Sequence, residues 1–125
     1  MRKVSALGTE TDVKYLMTVG VEPIVDPADG EGKDIERWVA ENDASGARFF
    51  GDRLAPASQA KTVRIRKGGA LVTDGPFAEA HEAIAGFDIL ECDSLDEAVA
   101  IALDHPMARD GVIEVRPFYD WSNGW

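Results

Sequence analysis

The sequence predicts an α+β domain in which two helices cover one face of an antiparallel sheet. Three observations carry this: two helical stretches with end signals, several short extended runs between them, and an order that flanks each helix with strands. The 125 residues suit a single domain and are enough to fold without a disulfide or a metal. The domain is expected over residues 12–118, with 1–11 and 119–125 as tails that are flexible or pack at an interface.

Val13 to Val19 reads as a strand with apolar residues on both faces, the mark of a central strand covered on both sides. Gly20 to Lys33 carries Pro23, Pro27, Gly30 and Gly32 and reads as a long loop. Asp34 to Asp43 reads as a helix with Ile35, Trp38, Val39 and Asn42 on one stripe, and Gly46 is its natural stop. Arg48 to Leu54 is either a short extended segment or an irregular connection. Thr62 to Arg66 alternates as a strand, Lys67 to Ala70 turns the chain, and Leu71 to Thr73 returns it as a hairpin. Asp74-Gly75-Pro76-Phe77 breaks that strand, and Ala78 to Ala85 is compatible with a short helix.

Phe87 to Cys92 is a further strand. Ser94-Leu95-Asp96-Glu97 is a capping box, and Leu95, Ala98, Val99, Ala102 and Leu103 form the stripe of the second helix. His105 falls in its last turn, where the helix dipole favours a cation, and Pro106 ends it. Val112 to Arg116 is the last strand. With the inserted hairpin strand set aside, the order is the split βαβ of a ferredoxin-like fold.

Alternation puts Val63 and Ile65, and Ile113 and Val115, towards the helices. The opposite face then holds Arg64, Arg66, Glu114 and Arg116, with Asp88 a further candidate. The first strand adds Leu16, or Tyr15 and Met17. Two readings fit such a face: plain solvated alternation, or burial against a second copy, with the charges lining a pocket between the sheets.

Composition excludes several functions. Thirteen basic against 23 acidic residues leave a net charge of −10, which repels a phosphate backbone, so no nucleic-acid partner is expected. No run approaches the apolar length of a membrane span and the N-terminus has no signal-peptide core, so a cytoplasmic location is expected. The single cysteine, Cys92, lies in a strand pattern that buries it. No glycine-rich phosphate loop follows a strand, no histidine falls in a strongly apolar pattern, and no standard ligand spacing joins Asp74, Glu79, His81 and Glu82. No cofactor and no metal are expected.

Thr73 to Glu82 holds four titratable groups, Asp74, Glu79, His81 and Glu82, around a Gly-Pro turn. With Gly86-Phe87, Ser94-Leu95-Asp96-Glu97-Ala98 and Glu114-Val115-Arg116-Pro117, this string resembles the YCII-related family, in the branch that carries an Asp-Gly-Pro-Phe motif. The likeness runs from about Val13 to Pro117. His81 stands where that branch has lysine. The resemblance implies a dimeric α+β barrel, two ferredoxin-like domains paired sheet to sheet. Proteins of this fold include monooxygenases, lactone isomerases and haem-dependent enzymes, and a His-Asp pair in a cleft has been suggested for the wider group. A fold shared so widely selects no reaction.

Asp74 and His81 are the candidate acid–base pair; the plainer alternative is a turn cap and a solvated helix residue. Arg64, Arg66, Arg116 and Glu79 are the candidate substrate contacts. Arg64 and Arg66 leave one strand face about 7 Å apart. Asp74, returned by the hairpin, is expected to border the same anion-holding cleft. Three function classes follow: an enzyme acting on an anionic or carbonyl-bearing small molecule, a ligand-binding or regulatory module, or a structural homodimer whose arginines only pair with acids.

Overall fold

A computed structural model of the chain describes residues 2–4, 10–21, 34–76 and 83–123. A short strand, β1 (Arg2–Val4), pairs with the long β2 (Glu10–Val21), although the first eleven residues show no periodicity. Then follow α1 (Ile35–Ser45), β3 (Arg48–Arg53), β4 (Lys61–Arg66), β5 (Gly69–Asp74), β6 (Ala83–Cys92), α2 (Leu95–Leu103), the single turn α3 (Met107–Asp110) and β7 (Val112–Pro117). Across the main sheet the order is β7–β2–β6–β3, each neighbouring pair antiparallel, and β1 shares the β7 edge of β2. β2 and β3 thus flank β6, and β6 and β7 flank β2. This is the ferredoxin-like α+β fold.

Local chemistry sets the helix ends. Asp34 caps α1 by accepting from Arg37 N–H at 2.8 Å, and Gly46 closes it at φ +82, where a Cβ is disfavoured. Ser94 caps α2 by accepting from Glu97 N–H at 3.1 Å, while Glu97 reaches back to Asp93 N–H. Trp38, Met17 and Leu90 are fully buried, each contributing roughly 2–3 kcal/mol of hydrophobic stabilisation. Trp38 Nε1 donates to the Ile101 carbonyl at 2.9 Å and ties α1 to α2. Cys92 is buried, as its strand pattern implies. On α2 only Ala98 and Ala102 of the expected stripe are buried. Leu95, Val99 and Leu103 stay exposed, because the helix sits on its small residues.

Register assigns the faces. Tyr15, Met17 and Val19 lie opposite Leu90, Asp88 and Gly86 on one side and Pro117, Val115 and Ile113 on the other. These form the helix-covered face, and the choice left open for β2 resolves to Leu16 and Thr18 on the open face. Glu114 and Arg116 lie there as expected. Asp88 does not: it is on the helix face, one of the few polar residues in the core.

One open choice is settled and two expectations are corrected. The ambiguous Arg48 segment is the edge strand β3 of the main sheet, while Thr62 to Arg66 leaves that sheet and forms a two-stranded ribbon with β5. Val63 and Ile65 are 66% and 76% exposed and never meet the helices. Alternation shows that a strand has two unlike faces but not which strand it joins. A register shift between Arg48 and Phe50 hides the alternation of β3. The helix expected over Ala78 to Ala85 is overtaken by β6, which already holds Ala83 to Ala85; residues 78–82 lie outside the described residues, as do 22–33 of the expected loop. Pro106 does end α2's run, but it also starts α3. In the C-terminal segment Trp121–Asn123 forms a 3₁₀ turn, and Tyr119 meets Trp121 edge-on at 4.7 Å; Trp125 is outside the described residues.

Candidate functional site

The ribbon's register decides the cleft expected from Asp74, Arg64 and Arg66. Lys61 lies opposite Asp74, Val63 opposite Val72 and Arg64 opposite Leu71. Lys61, Val63, Ile65 and Asp74 therefore share one ribbon face, and Thr62, Arg64 and Arg66 share the other. Asp74 pairs with Lys61. Its turn is completed by Gly75 at φ +93, whose N–H meets the Ala60 carbonyl at 2.8 Å, and by Thr62 Oγ1 on the Gly75 carbonyl at 2.7 Å. The acid and the two arginines are not brought together: an odd offset from Lys61 puts both arginines on the far side. Arg66 Nη1 donates to the Ile65 carbonyl at 3.0 Å. Arg116 lies on the open face of the main sheet and pairs with Glu114 at 2.8 Å. Glu79, His81 and Glu82 lie outside the described residues.

A cavity among the described residues lies elsewhere, on the helix-covered face. It is a half-open space of about 670 Å³ where α1, α3 and the ends of β2, β3 and β6 meet. Val19, Ile35, Val39 and Met107 give it apolar walls. A volume of that order suits a small organic molecule. Into it the fold brings two buried polar groups that the sequence reading placed elsewhere, Asp88 on the open face and His105 at a helix end.

The first is Asp88, 7% exposed, which accepts from Arg48 Nε at 2.7 Å. Arg48 is spent on its neighbours: Nη1 reaches Asp43 at 3.0 Å and Nη2 the Gly51 carbonyl at 2.9 Å. Gly51 makes room for the carboxylate, since a Cβ there would stand 2.0 Å from Asp88 Oδ1. Burial pushes the Asp88 carboxyl up, and the Arg48 contact pulls against that rise without cancelling it. Burial also works against the Arg48 charge, but its hydrogen bonds to Asp88 and Asp43 outweigh this and hold its pKa above the ordinary value.

The second is His105, which the sequence puts in the last turn of α2, where the helix dipole favours a cation. It is 4% exposed, and burial lowers its pKa, which favours the neutral ring. Its Nδ1 accepts from Met107 N–H at 3.0 Å, and the ring stands edge-on to Trp38 at 4.7 Å. The bend of the chain at Pro106 turns His105 inward, which the dipole argument could not foresee. The absence of a histidine in an apolar setting, expected from the sequence, is thereby overturned. A readable signal was present: a helix that ends one turn short of a proline, with Met107 just beyond it.

Asp88 and His105 share no hydrogen bond and act as separate polar points on an apolar wall. Three aspartates (Asp34, Asp52, Asp88) and two arginines (Arg48, Arg53) line the cavity, so the wall carries no surplus of positive charge. The arrangement suits an uncharged ligand better than an anion. Among the described residues no group of three His, Cys, Asp or Glu side chains is placed to hold a metal ion, and no helix is long and apolar enough to cross a membrane.

Comparison with known proteins gives two matches. A family model described as the YCII-related domain matches residues 21–122. The chain is also similar to an uncharacterised protein of Rhizobium meliloti (strain 1021), 46% identical over 67 residues that cover 52% of this chain and 54% of that protein. The match thus spans about half the length of this relative.

Proposed function

The chain belongs to the YCII-related domain family, and from that premise we propose that it binds a small, mostly apolar molecule in the cavity beneath α1. The observation that carries this is the pairing of apolar walls with two buried polar groups, Asp88 and His105, in one 670 Å³ space. A buried polar group in an otherwise apolar wall serves to orient a ligand. The reading is a binding site first; proton transfer would fall to Asp88, whose carboxyl is raised by burial. The test is a ligand-observed NMR screen of uncharged fragments on wild type and on Val39→Phe, which fills the cavity. Hits that vanish in the variant support the site. No hits, or hits that persist in the variant, overturn it.

A second copy of the chain is the proposed partner. The open sheet face carries Leu16, Phe50, Phe87 and Ile89, and the ribbon adds Val63, Ile65 and Val72. Phe50 and Ile65 are among the most exposed large apolar residues of the described chain. A patch of this extent on a molecule of charge −10 is best covered by a self-complementary, isologous contact.

The two ribbon arginines support a weaker, separate reading. Arg64 and Arg66 share one face, and among the described residues no carboxylate pairs with either. An anion held there would be independent of Asp74. Calorimetric titration with small carboxylates should then lose its signal in Arg64→Ala and keep it in Asp74→Asn. Equal binding in both variants would dismiss the arginine site.

A further inference from the structure

We propose that His105 orients the ligand as a hydrogen-bond donor through Nε2, and that the ligand is an uncharged carbonyl compound with an apolar body. This rests on the cavity being a ligand site and names what it takes. The tautomer follows from a backbone contact. Met107 N–H points at His105 Nδ1 from 3.0 Å. A nitrogen that accepts an amide hydrogen carries no proton, so the neutral ring holds its proton on Nε2. Protonating Nδ1 would set two donors against each other, and the short bend Pro106-Met107 leaves the amide no other direction. Burial works the same way, against the imidazolium.

The ring cannot swing to satisfy Nε2 elsewhere. Trp38, fully buried, stands against it at an interplanar angle of 69°, and Trp38 is itself pinned through Nε1 to the Ile101 carbonyl. His105 lines the cavity, and its hydrogen bond to the chain is the one that Nδ1 accepts from Met107 N–H. The residue is 4% exposed, yet Nε2 is not among the buried side-chain atoms left without a partner, so it opens on the cavity and donates to whatever fills that space, water or the acceptor of a ligand. Of the acceptors, a carboxylate is disfavoured. Arg48 has all three nitrogens engaged, by Asp88, Asp43 and the Gly51 carbonyl, and the three aspartates of the wall outnumber its two arginines, Arg48 and Arg53. An uncharged carbonyl oxygen meets the donor without adding a negative charge.

The role is one of orientation. Nε2 carries a proton it has no reason to lose, so His105 does not act as a base through that atom.

The experiment uses the full chain labelled with ¹⁵N. A long-range ¹H–¹⁵N spectrum of the histidines at pH 7.5 should show His105 as the Nε2–H tautomer. The Nδ1–H tautomer or an imidazolium would overturn the proposal without any ligand or variant. Acetophenone, ethylbenzene and benzoate are then titrated while the amides of Val39, Phe87 and Met107 are followed. Acetophenone should bind about 3- to 10-fold more tightly than ethylbenzene, the gain of one neutral hydrogen bond, and benzoate should bind least. Equal affinity for acetophenone and ethylbenzene would leave the cavity a ligand site and overturn the donor. If none of the three shifts these amides, the site itself fails and the donor with it. His105→Gln, which keeps an amide N–H at that place, should retain the preference for acetophenone, and His105→Phe should abolish it. A preference that survives in His105→Phe counts against the proposal.

Discussion

Asp88 is the residue on which the cavity wall depends. A carboxylate on the helix-covered face is tolerated because Arg48 meets it at 2.7 Å and Gly51 leaves the space for that contact. Removing one partner strands a charge in the core. Arg48→Ala is expected to lower the unfolding free energy by about 3–5 kcal/mol, checked by urea denaturation. Gly51→Ala should act in the same direction, because its Cβ displaces Asp88; stability equal to wild type would show that the carboxylate relaxes freely. His105 makes a pH prediction. Its folded pKa lies below the ordinary 6.5, so the unfolded chain takes up a proton that the folded chain refuses. Its contribution is complete above about pH 6.5 and is lost as pH falls towards the folded pKa. Asp88, raised above 3.8, acts with the opposite sign: its contribution is lost as pH rises through its folded pKa. Urea midpoints of wild type and His105→Gln between pH 8 and 5 separate the two. The variant should lose less stability on acidification.

At the scale of elements, the capping box at Ser94 works where the sequence placed it, and the structure adds a second cap at Asp34. Ser94→Ala is expected to cost about 1 kcal/mol, since it frees the Glu97 amide at the start of α2. Asp34 does the same for α1 and also lines the cavity. Asp34→Ala should therefore lower both thermal stability and fragment binding, whereas Ser94→Ala should lower stability alone. The ribbon is the element that alternation misplaced. Val63 and Ile65 have the pattern of a half-buried strand, yet the ribbon's own two strands are its only sheet. The polar bonds at its base, Thr62 to Gly75 and Gly75 to Ala60, join its base to the segment just before it rather than to the main sheet.

For the whole molecule, the exposed apolar residues of the open face and the ribbon predict self-association. Sedimentation at micromolar concentration should show a dimer in wild type and a monomer in Phe50→Glu. Ile65→Lys should weaken the dimer while changing the chain's own unfolding free energy by less than about 0.5 kcal/mol, because Ile65 makes little contact within its chain. Since each copy carries a charge of −10, added salt should strengthen the association. A wild type that stays monomeric in high salt would reject the second copy as the partner.

The sequence by itself determined the ferredoxin-like order, the Ser94 cap of α2, the stop at Gly46, the central place of β2 and the open-face position of Glu114 and Arg116. Each of these rests on chemistry within a few residues: a cap, a period, a glycine at positive φ. Only the tertiary structure decided which alternating segment joined the main sheet, that Asp88 faced the helices, that His105 was buried and neutral, and that Asp74 turned away from Arg64 and Arg66. Those outcomes depend on partners far apart in the chain, Arg48 for Asp88, Trp38 for His105 and Lys61 for Asp74. A local pattern gives a strand two faces and a helix an end, but which face is covered, and by what, is settled when distant segments pack.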